Sequence, residues 1–304
     1  MSLLKRKLAM SGKSWKQLIR NPALMFVFLF LLIDCLFVAV LIFWGISTSL
    51  KGIDDFMENM VFLPKKFEWQ NYVFAFRYFS MPLVNKSGVR EVYLEEMFLN
   101  SCIFSIGGSL TTAFCSCWMA YLTQRYRYKF SHIVYTGVLI VMIIPITGGN
   151  VGMIKVMSDL NLFGTWPSWM IMRFGFVNMY YLVFYAAFRG IPRDYEESAF
   201  MDGAGNFRIF LSILLPMVSS TFLTVFLLNF IGYWNDYMTP LIFLPEKYTI
   251  SRGIYALSVT SINAFNRTPM KMATSYMCVI PMIILFVVFR ERMMQSMSLG
   301  GLKE

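Results

Sequence analysis

Of the 304 residues, 57% are apolar and only 14% charged, with a mean hydropathy of +0.57 and a formal net charge of +10. Soluble domains carry roughly 25% charged and about 45–50% apolar residues. The composition therefore argues against a soluble enzyme, a nucleic-acid reader and a disordered regulator. In so apolar a chain the positive charge points to the membrane surface, because Lys and Arg gather on cytoplasmic loops.

In chain order, residues 1–22 form a basic segment that carries Lys5, Arg6, Lys7, Lys13, Lys16 and Arg20. Residues 23–290 form the transmembrane domain, and 291–304 a short tail. A helix needs about 20 apolar residues to cross ~30 Å of hydrocarbon. Six segments qualify: Ala23–Ile46, Phe98–Leu122, Ile133–Val156, Trp169–Phe188, Ile209–Ile231 and Met272–Phe289. Gly107, Gly108, Pro145, Pro216 and Pro281 within them are compatible with spanning, since neighbouring helices satisfy the freed backbone groups. The first segment exceeds the roughly 7–15 residues of a signal-peptide core and no A-x-A-like site follows, so it is expected to be retained.

With the N-terminus inside, Lys and Arg are roughly twice as dense in pieces 1–22, 123–132, 189–208 and 290–304 as in pieces 47–97, 157–168 and 232–271. The expected architecture is an all-α, multi-pass membrane protein with six transmembrane helices and both termini cytoplasmic. No internal repeat and no separate soluble domain is evident. Cys35, Cys102, Cys115, Cys117 and Cys278 all fall in apolar runs, without a C-x-x-C pair, and His132 is the only histidine. A disulfide framework, a structural zinc site and a haem attachment site have no support, and buried thiols acting as small hydrophobes are expected. Without a G-x-x-x-x-G-K-S/T loop, a G-x-S-x-G elbow or an H-E-x-x-H helix, no catalytic residue, metal ligand or cofactor site is expected.

The most informative stretch is 189–208, between spans four and five. Asp194 with Glu197 three residues on reads as a capping box. Glu196 and Glu197 sit in a first turn, where the helix dipole favours them, and Gly203 supplies a left-handed exit. A helix over Tyr195–Asp202 is predicted, with Ser198 and Ala199 on a flank small enough for another protein to approach. On its own, this would also suit an amphipathic connector resting on headgroups.

The pattern continues. Glu197-Ser198-Ala199, then Gly203, then nine residues, then Ile213-x-Leu215-Pro216 resembles the "EAA" signature of the membrane subunits of bacterial ABC importers. Ser198 in place of Ala is the one departure, and Asp202 and Ala204 match a frequent D-G-A extension. The resemblance implies the type I ABC-importer permease fold and a bacterial plasma-membrane location. It makes the 195–204 helix, with Glu196 in its first turn, a coupling helix that docks on the ATPase, and Pro216 allows a bend in span five.

A wider resemblance, covering most of the chain after about residue 47, is to sugar-importer permeases of the maltose and multiple-sugar type. It rests on Ser49-Leu50-Lys51, Leu63-Pro64, Asn71-Tyr72, Asn100-Ser101, Ala120-Tyr121, Ile191-Pro192, Trp234-Asn235 and Gly300-Gly301-Leu302-Lys303. Departures fall at Ser219-Ser220 and Glu304. The resemblance implies a carbohydrate substrate, a second permease subunit as heterodimer partner, a pair of ABC ATPase subunits and an extracellular solute-binding protein. Peptide or polyamine import uses the same coupling pattern.

Other candidates keep more than one reading. Asp34, mid-span in the first segment, suits pairing with a partner helix, or substrate or ion contact in an ion-coupled transporter. Arg173 is expected to snorkel to the interface. Asn229, Tyr233, Trp234 and Asn235 join amides to aromatics, which suits either a sugar path or an interfacial aromatic belt. Met142, Met170, Met172 and Met179 are expected to fill gaps between helices.

Overall fold

The computed structural model describes residues 21–85, 88–126, 129–144, 148–259, 265 and 267–299. Most of the basic N-terminal segment, Pro145 and the Gly300–Lys303 motif lie outside the described residues. The chain divides into two compact units, residues 1–75 with 264–276, and residues 76–263 with 277–304.

In the first unit, α1 (Pro22–Ser49) is capped by the Asn21 side chain, which accepts from the Ala23 N–H, with Pro22 at the first helical position. Its most apolar window holds no buried residue, as expected of a helix whose partner is lipid or another subunit. Two short helices follow, α2 (Ile53–Glu58) and α3 (Gln70–Tyr78). The Asn71 amide donates to the carbonyls of Ser49 and Lys51 at 3.0 and 2.9 Å, and the Tyr72 hydroxyl lies 2.6 Å from Ser49 Oγ. Lys51 is fully buried and donates to the Asn59 carbonyl at 2.6 Å. Ser49-Leu50-Lys51 and Asn71-Tyr72, separate in sequence, thus close one turn against each other.

The second unit opens on an antiparallel hairpin, β1 (Ser80–Asn85) and β2 (Gly88–Tyr93), paired from Ser80–Tyr93 to Asn85–Gly88. This corrects the all-α expectation to a mostly helical fold with one hairpin. Then comes α4 (Leu94–Arg125), the central helix. Around it pack α5 (Lys129–Ile143), α7 (Trp166–Arg173), α8 (Met179–Arg189), α12 (Ser219–Asn235) and α14 (Ile250–Val259). The remaining elements are α6 (Gly149–Asp159), α9 (Asp194–Met201), α10 (Asn206–Ile209), α11 (Leu215–Met217), α13 (Met238–Phe243) and α15 (Thr268–Leu299), with a π-helical turn at Phe210–Leu214.

The reason α4 is central is its small-residue face. Ser101, Ser105, Gly108, Ser109, Thr112, Ala113, Ser116 and Ala120 are buried along it, and small residues let helix backbones approach closely. A Cβ on Gly108 would stand 2.8 Å from the Trp169 ring and 3.1 Å from the Tyr233 ring. Polar partners fix the register. Ser116 Oγ and the Asn178 amide are 3.0–3.1 Å apart, Thr123 Oγ1 lies 2.7 Å from the Tyr181 hydroxyl, and Asn100 donates to the Tyr248 carbonyl at 3.0 Å.

Among the described residues, α1 and α4 are each long and apolar enough to cross a membrane, and the bent α10–α12 stretch makes a third candidate if taken as one span. Three expected spans are interrupted. The third divides into α5 and α6, with Gly148 left-handed (φ +84°) before α6. The fourth divides at 174–177, where Asn178 starts a new helix by accepting from the Tyr181 N–H. The fifth bends by 77° after Pro216. In each case a residue that caps or breaks a helix outweighs the hydropathy of the run. The sixth expected span lies within the single helix α15.

Replacing Gly108 with Ala is expected to cost roughly 1–3 kcal/mol by overpacking. Thermal unfolding of the detergent-solubilised protein checks this: a midpoint several degrees below wild type is expected.

Candidate functional site

The 189–208 loop folds as a helix with a defined entry and exit. α9 begins one residue earlier than predicted. Arg193, in helical conformation, is its N-cap, and the cap makes no side-chain hydrogen bond. The capping box expected from Asp194 and Glu197 is therefore absent. Both residues stand within the first turn, beside Glu196, where the dipole still favours their charge. The exit is as expected and tighter. Gly203 adopts φ +80°, its N–H donates to the Phe200 carbonyl, and the Ala204 N–H donates to the Ala199 carbonyl, both at 3.0 Å. That pair of bonds is a Schellman closure.

The side chains sort by face. Ala199 is 7% exposed and packs into the core with Ile209, Phe210 and Phe188. This overturns the expectation that Ala199 offers an approach surface: it faces inward. Ser198, Glu197, Tyr195 and Met201 are exposed, Met201 at 88%. Of the downstream motif residues, Ile213 and Leu215 are partly buried against the same core, and Pro216 follows the π turn at the head of the 77° bend. The sequence motif is thus one structural unit, with Ala199, Ile213 and Leu215 facing the core and Ser198 on the other side of α9.

Glu196 turns inward to Arg125, the last residue of α4. Arg125 Nε and Glu196 Oε1 are 2.7 Å apart, with side chains only 3% and 12% exposed, although the pair lies off the hydrogen-bond direction. Arg125 Nη2 donates to the Ile191 carbonyl at 3.1 Å, and Arg193 Nη2 donates back to the Arg125 carbonyl at 3.3 Å. Burial pushes the Glu196 carboxyl above the usual carboxylate range, and Arg125 and Arg193 oppose the shift. Sequence reasoning missed Arg125. The signal was an arginine ending span two with acids in a later loop, which by itself names no partner.

The second candidate group separates on folding. Tyr233 joins an aromatic cluster in which Phe104 stacks on Trp169 at 4.0 Å, and its hydroxyl lies 3.0 Å from Thr112 Oγ1. Arg173, expected to snorkel, instead lays its guanidinium 4.3 Å from the Trp169 ring centre and 5.4 Å from that of Tyr233. Trp234 is buried against Phe98 and Phe230. Asn229 is buried and donates to the Val225 carbonyl within its own helix, while Asn235 is exposed. Of the four, Asn235 is the exposed residue, while the half-buried Tyr233 has its hydroxyl paired with Thr112. A cavity of about 430 Å³ beside α4 and α7, lined by Leu110, Phe114, Met170, Phe174 and Phe222, is nearly all apolar. That lining suits another helix or lipid better than a polyhydroxylated solute.

Asp34 is exposed on α1 and makes no hydrogen bond or ion pair among the described residues. Met142, Met170 and Met179, expected as gap fillers, are exposed. Of the cysteines, Cys115, Cys117 and Cys278 are buried, Cys102 is half-buried and Cys35 is exposed. Among the described residues no group of three or more His, Cys, Asp or Glu side chains is placed to hold a metal ion.

Comparison with known proteins places this geometry. Residues 113–294, which include α9 and the whole motif, match the family described as binding-protein-dependent transport system inner membrane component. The chain is 23% identical over 266 residues to the diacetylchitobiose uptake system permease protein NgcG of Streptomyces coelicolor, covering 86% of this chain and 83% of the relative. It is 27% identical over 268 residues to the arabinooligosaccharides transport system permease protein AraQ of Bacillus subtilis, covering 86% and 89%. The fold matches a chain in the crystal structure of a bacterial ABC transporter involved in import of the acidic polysaccharide alginate. The TM-score is 0.74 over 88% of this chain and 95% of that one, at 18% identity.

The two faces of α9 respond differently to charge. Ala199→Arg buries an unpaired cation and is expected to cost more than about 3 kcal/mol, lowering the amount of protein in the membrane several-fold. Ser198→Arg is expected to leave that amount unchanged. Gly203→Val strains a left-handed position although nothing lies within 4 Å of its added Cβ. Gly203→Asn, which tolerates that conformation, is expected to retain most of the stability that Val loses. Quantitative immunoblotting of membranes and thermal unfolding of the purified variants check all four.

Proposed function

This chain belongs to the family of binding-protein-dependent transport system inner membrane components, and we propose that it is the permease subunit of an ATP-driven importer for a carbohydrate. It is a transport component and not an enzyme. Its own sequence has no phosphate-binding loop, so hydrolysis falls to a pair of separate ABC ATPase subunits. An extracellular solute-binding protein delivers the solute, and a second, related permease subunit completes the pathway in the bacterial plasma membrane. The broken runs 133–156, 169–188 and 209–231 each count as one crossing in this reading, which makes six with both termini cytoplasmic. Discontinuous helices are tolerated where neighbouring protein satisfies the backbone.

The observation that carries the reading is α9. A short helix, rigidly closed by Gly203 and rooted in the core through Ala199, presents Tyr195, Glu197, Ser198 and Met201 outward. That surface is suited to dock the ATPase, and the Phe210–Pro216 turn and bend connect it to α12. The carbohydrate assignment draws on the named substrates of the relatives, diacetylchitobiose and arabinooligosaccharides. Of the expected sugar path, Asn235 is the exposed position. An ion-coupled transporter using Asp34 would need groups gathered around that carboxylate, and Asp34 stands exposed on α1.

Two measurements test this. Single cysteines at Lys65 and Asn206, in a background without the native cysteines, should label in intact cells at 65 only with an impermeant thiol reagent. Labelling at 206 alone would reverse the topology. Proteoliposomes holding the assembled importer, with its binding protein outside, should take up a labelled oligosaccharide from a panel of chito-, arabino- and maltooligosaccharides only when ATP is enclosed. Uptake of a tripeptide or spermidine with every oligosaccharide refused would remove the carbohydrate assignment.

A further inference from the structure

Four groups form a closed clamp at the base of α9. Arg125 ends α4. Its Nε faces Glu196 Oε1 at 2.7 Å and its Nη2 holds the Ile191 carbonyl at 3.1 Å. In return Arg193, the N-cap of α9, reaches the Arg125 main-chain carbonyl at 3.3 Å. That carbonyl belongs to the C-terminal end of a 32-residue helix, where a cation is favoured by the helix dipole. Each side of the junction therefore holds the other by a side chain, and the central ion pair is withdrawn from water. A buried pair is weak evidence for stability, because apolar residues of the same size often serve as well, and fixing one arrangement is its better-attested role.

The chain itself joins α9 to the membrane helices on both sides, through residues 190–193 to α8 and through α10 and the flexed Phe210–Pro216 turn into α12. A π turn followed by a 77° bend is a compliant connection. The clamp adds a direct side-chain route into α4, on which α5, α7, α8, α12 and α14 pack. Coupling between distant sites needs such a contiguous physical connection. We propose that the Arg125–Glu196 pair, closed by the Arg193–Arg125 carbonyl bond, carries the displacement of α9 into α4. Arg125 and Glu196 are thus positioning residues for transport, distinct from the exposed residues that touch the ATPase. This rests on the permease reading above and adds the residues that transmit the motion.

The test uses the complete importer in proteoliposomes, with its ATPase and binding protein. Arg125→Gln, Glu196→Gln, the double variant and Arg125→Lys are compared for ATPase subunit retained, ATP hydrolysed and oligosaccharide imported per ATP. Each single neutralisation is expected to retain the ATPase subunit, yet to lower import per ATP by at least about fivefold, the low end of measured coupling between sites. The double variant should be no worse than the poorer single one, since each residue acts through the other, and Arg125→Lys should recover part of the loss. Import per ATP is normalised to assembled complexes, so a residue that merely stabilises the fold would not change it. If Arg125→Gln fails to insert, Glu196→Gln and Arg125→Lys carry the comparison. Unchanged import per ATP in the single variants, or losses that multiply in the double one, would overturn the proposal. A wild-type complex without ATP-dependent import would instead bring down the permease reading beneath it.

Discussion

Arg125 and Glu196 approach to 2.7 Å in a place where neither charge meets much water. Either one alone would be costly there, so wherever α4 ends, the first turn of α9 must follow. The rest of the loop obeys that placement. With Glu196 turned to Arg125, Ala199, one turn on along the same face, meets the core, and Ser198 and Met201 face outward. Gly203 then closes the helix before it can extend. The short element has one orientation because a buried charge pair and a buried methyl group set it together.

The same economy of small groups organises the membrane-facing part. α4 buries Gly, Ala, Ser and Thr along one face, and its partners approach through that face. Trp169 fills the space left at Gly108, and the Arg173 guanidinium lies over the Trp169 and Tyr233 rings. Helices that break, at 174–177 and after Pro216, do so where a capping Asn or a proline redirects the chain. A transporter must alternate between states, and interruptions of this kind give helices places to flex while an unbroken central helix keeps the bundle together.

Much of this was legible in the sequence. The exposed apolar α1, the long α4, the helix after Pro192 and the left-handed Gly203 follow from hydropathy, dipole and capping rules. The inward turn of Ala199 did not. In an eight-residue helix, Ala199, Phe200 and Met201 are three consecutive apolar residues, and periodicity cannot say which one is buried. The structure buries the smallest and exposes the two larger ones. The breaks in the third and fourth runs were missed because mean hydropathy does not register a single capping Asn178 or a left-handed Gly148, whereas the bend in the fifth was expected at Pro216. The hairpin had a signal in the β-branched Val84, Val89 and Val92 on either side of Gly88, but no period-2 alternation accompanied it. Arg125 and Glu196 lie 71 positions apart, and nothing local in either segment announces the other.

The claim at the centre is that α9 has an inner face rooted in the permease and an outer face for the ATPase. Site-directed cross-linking reads it directly in the assembled importer, freed of its native cysteines. Cysteines placed at Ser198 and Met201, with a short bifunctional thiol reagent, should join this chain to cysteines introduced on the ATPase subunit. A cysteine at Ala199 should remain unlinked. Efficient cross-linking from position 199, with none from 198 or 201, would contradict the account.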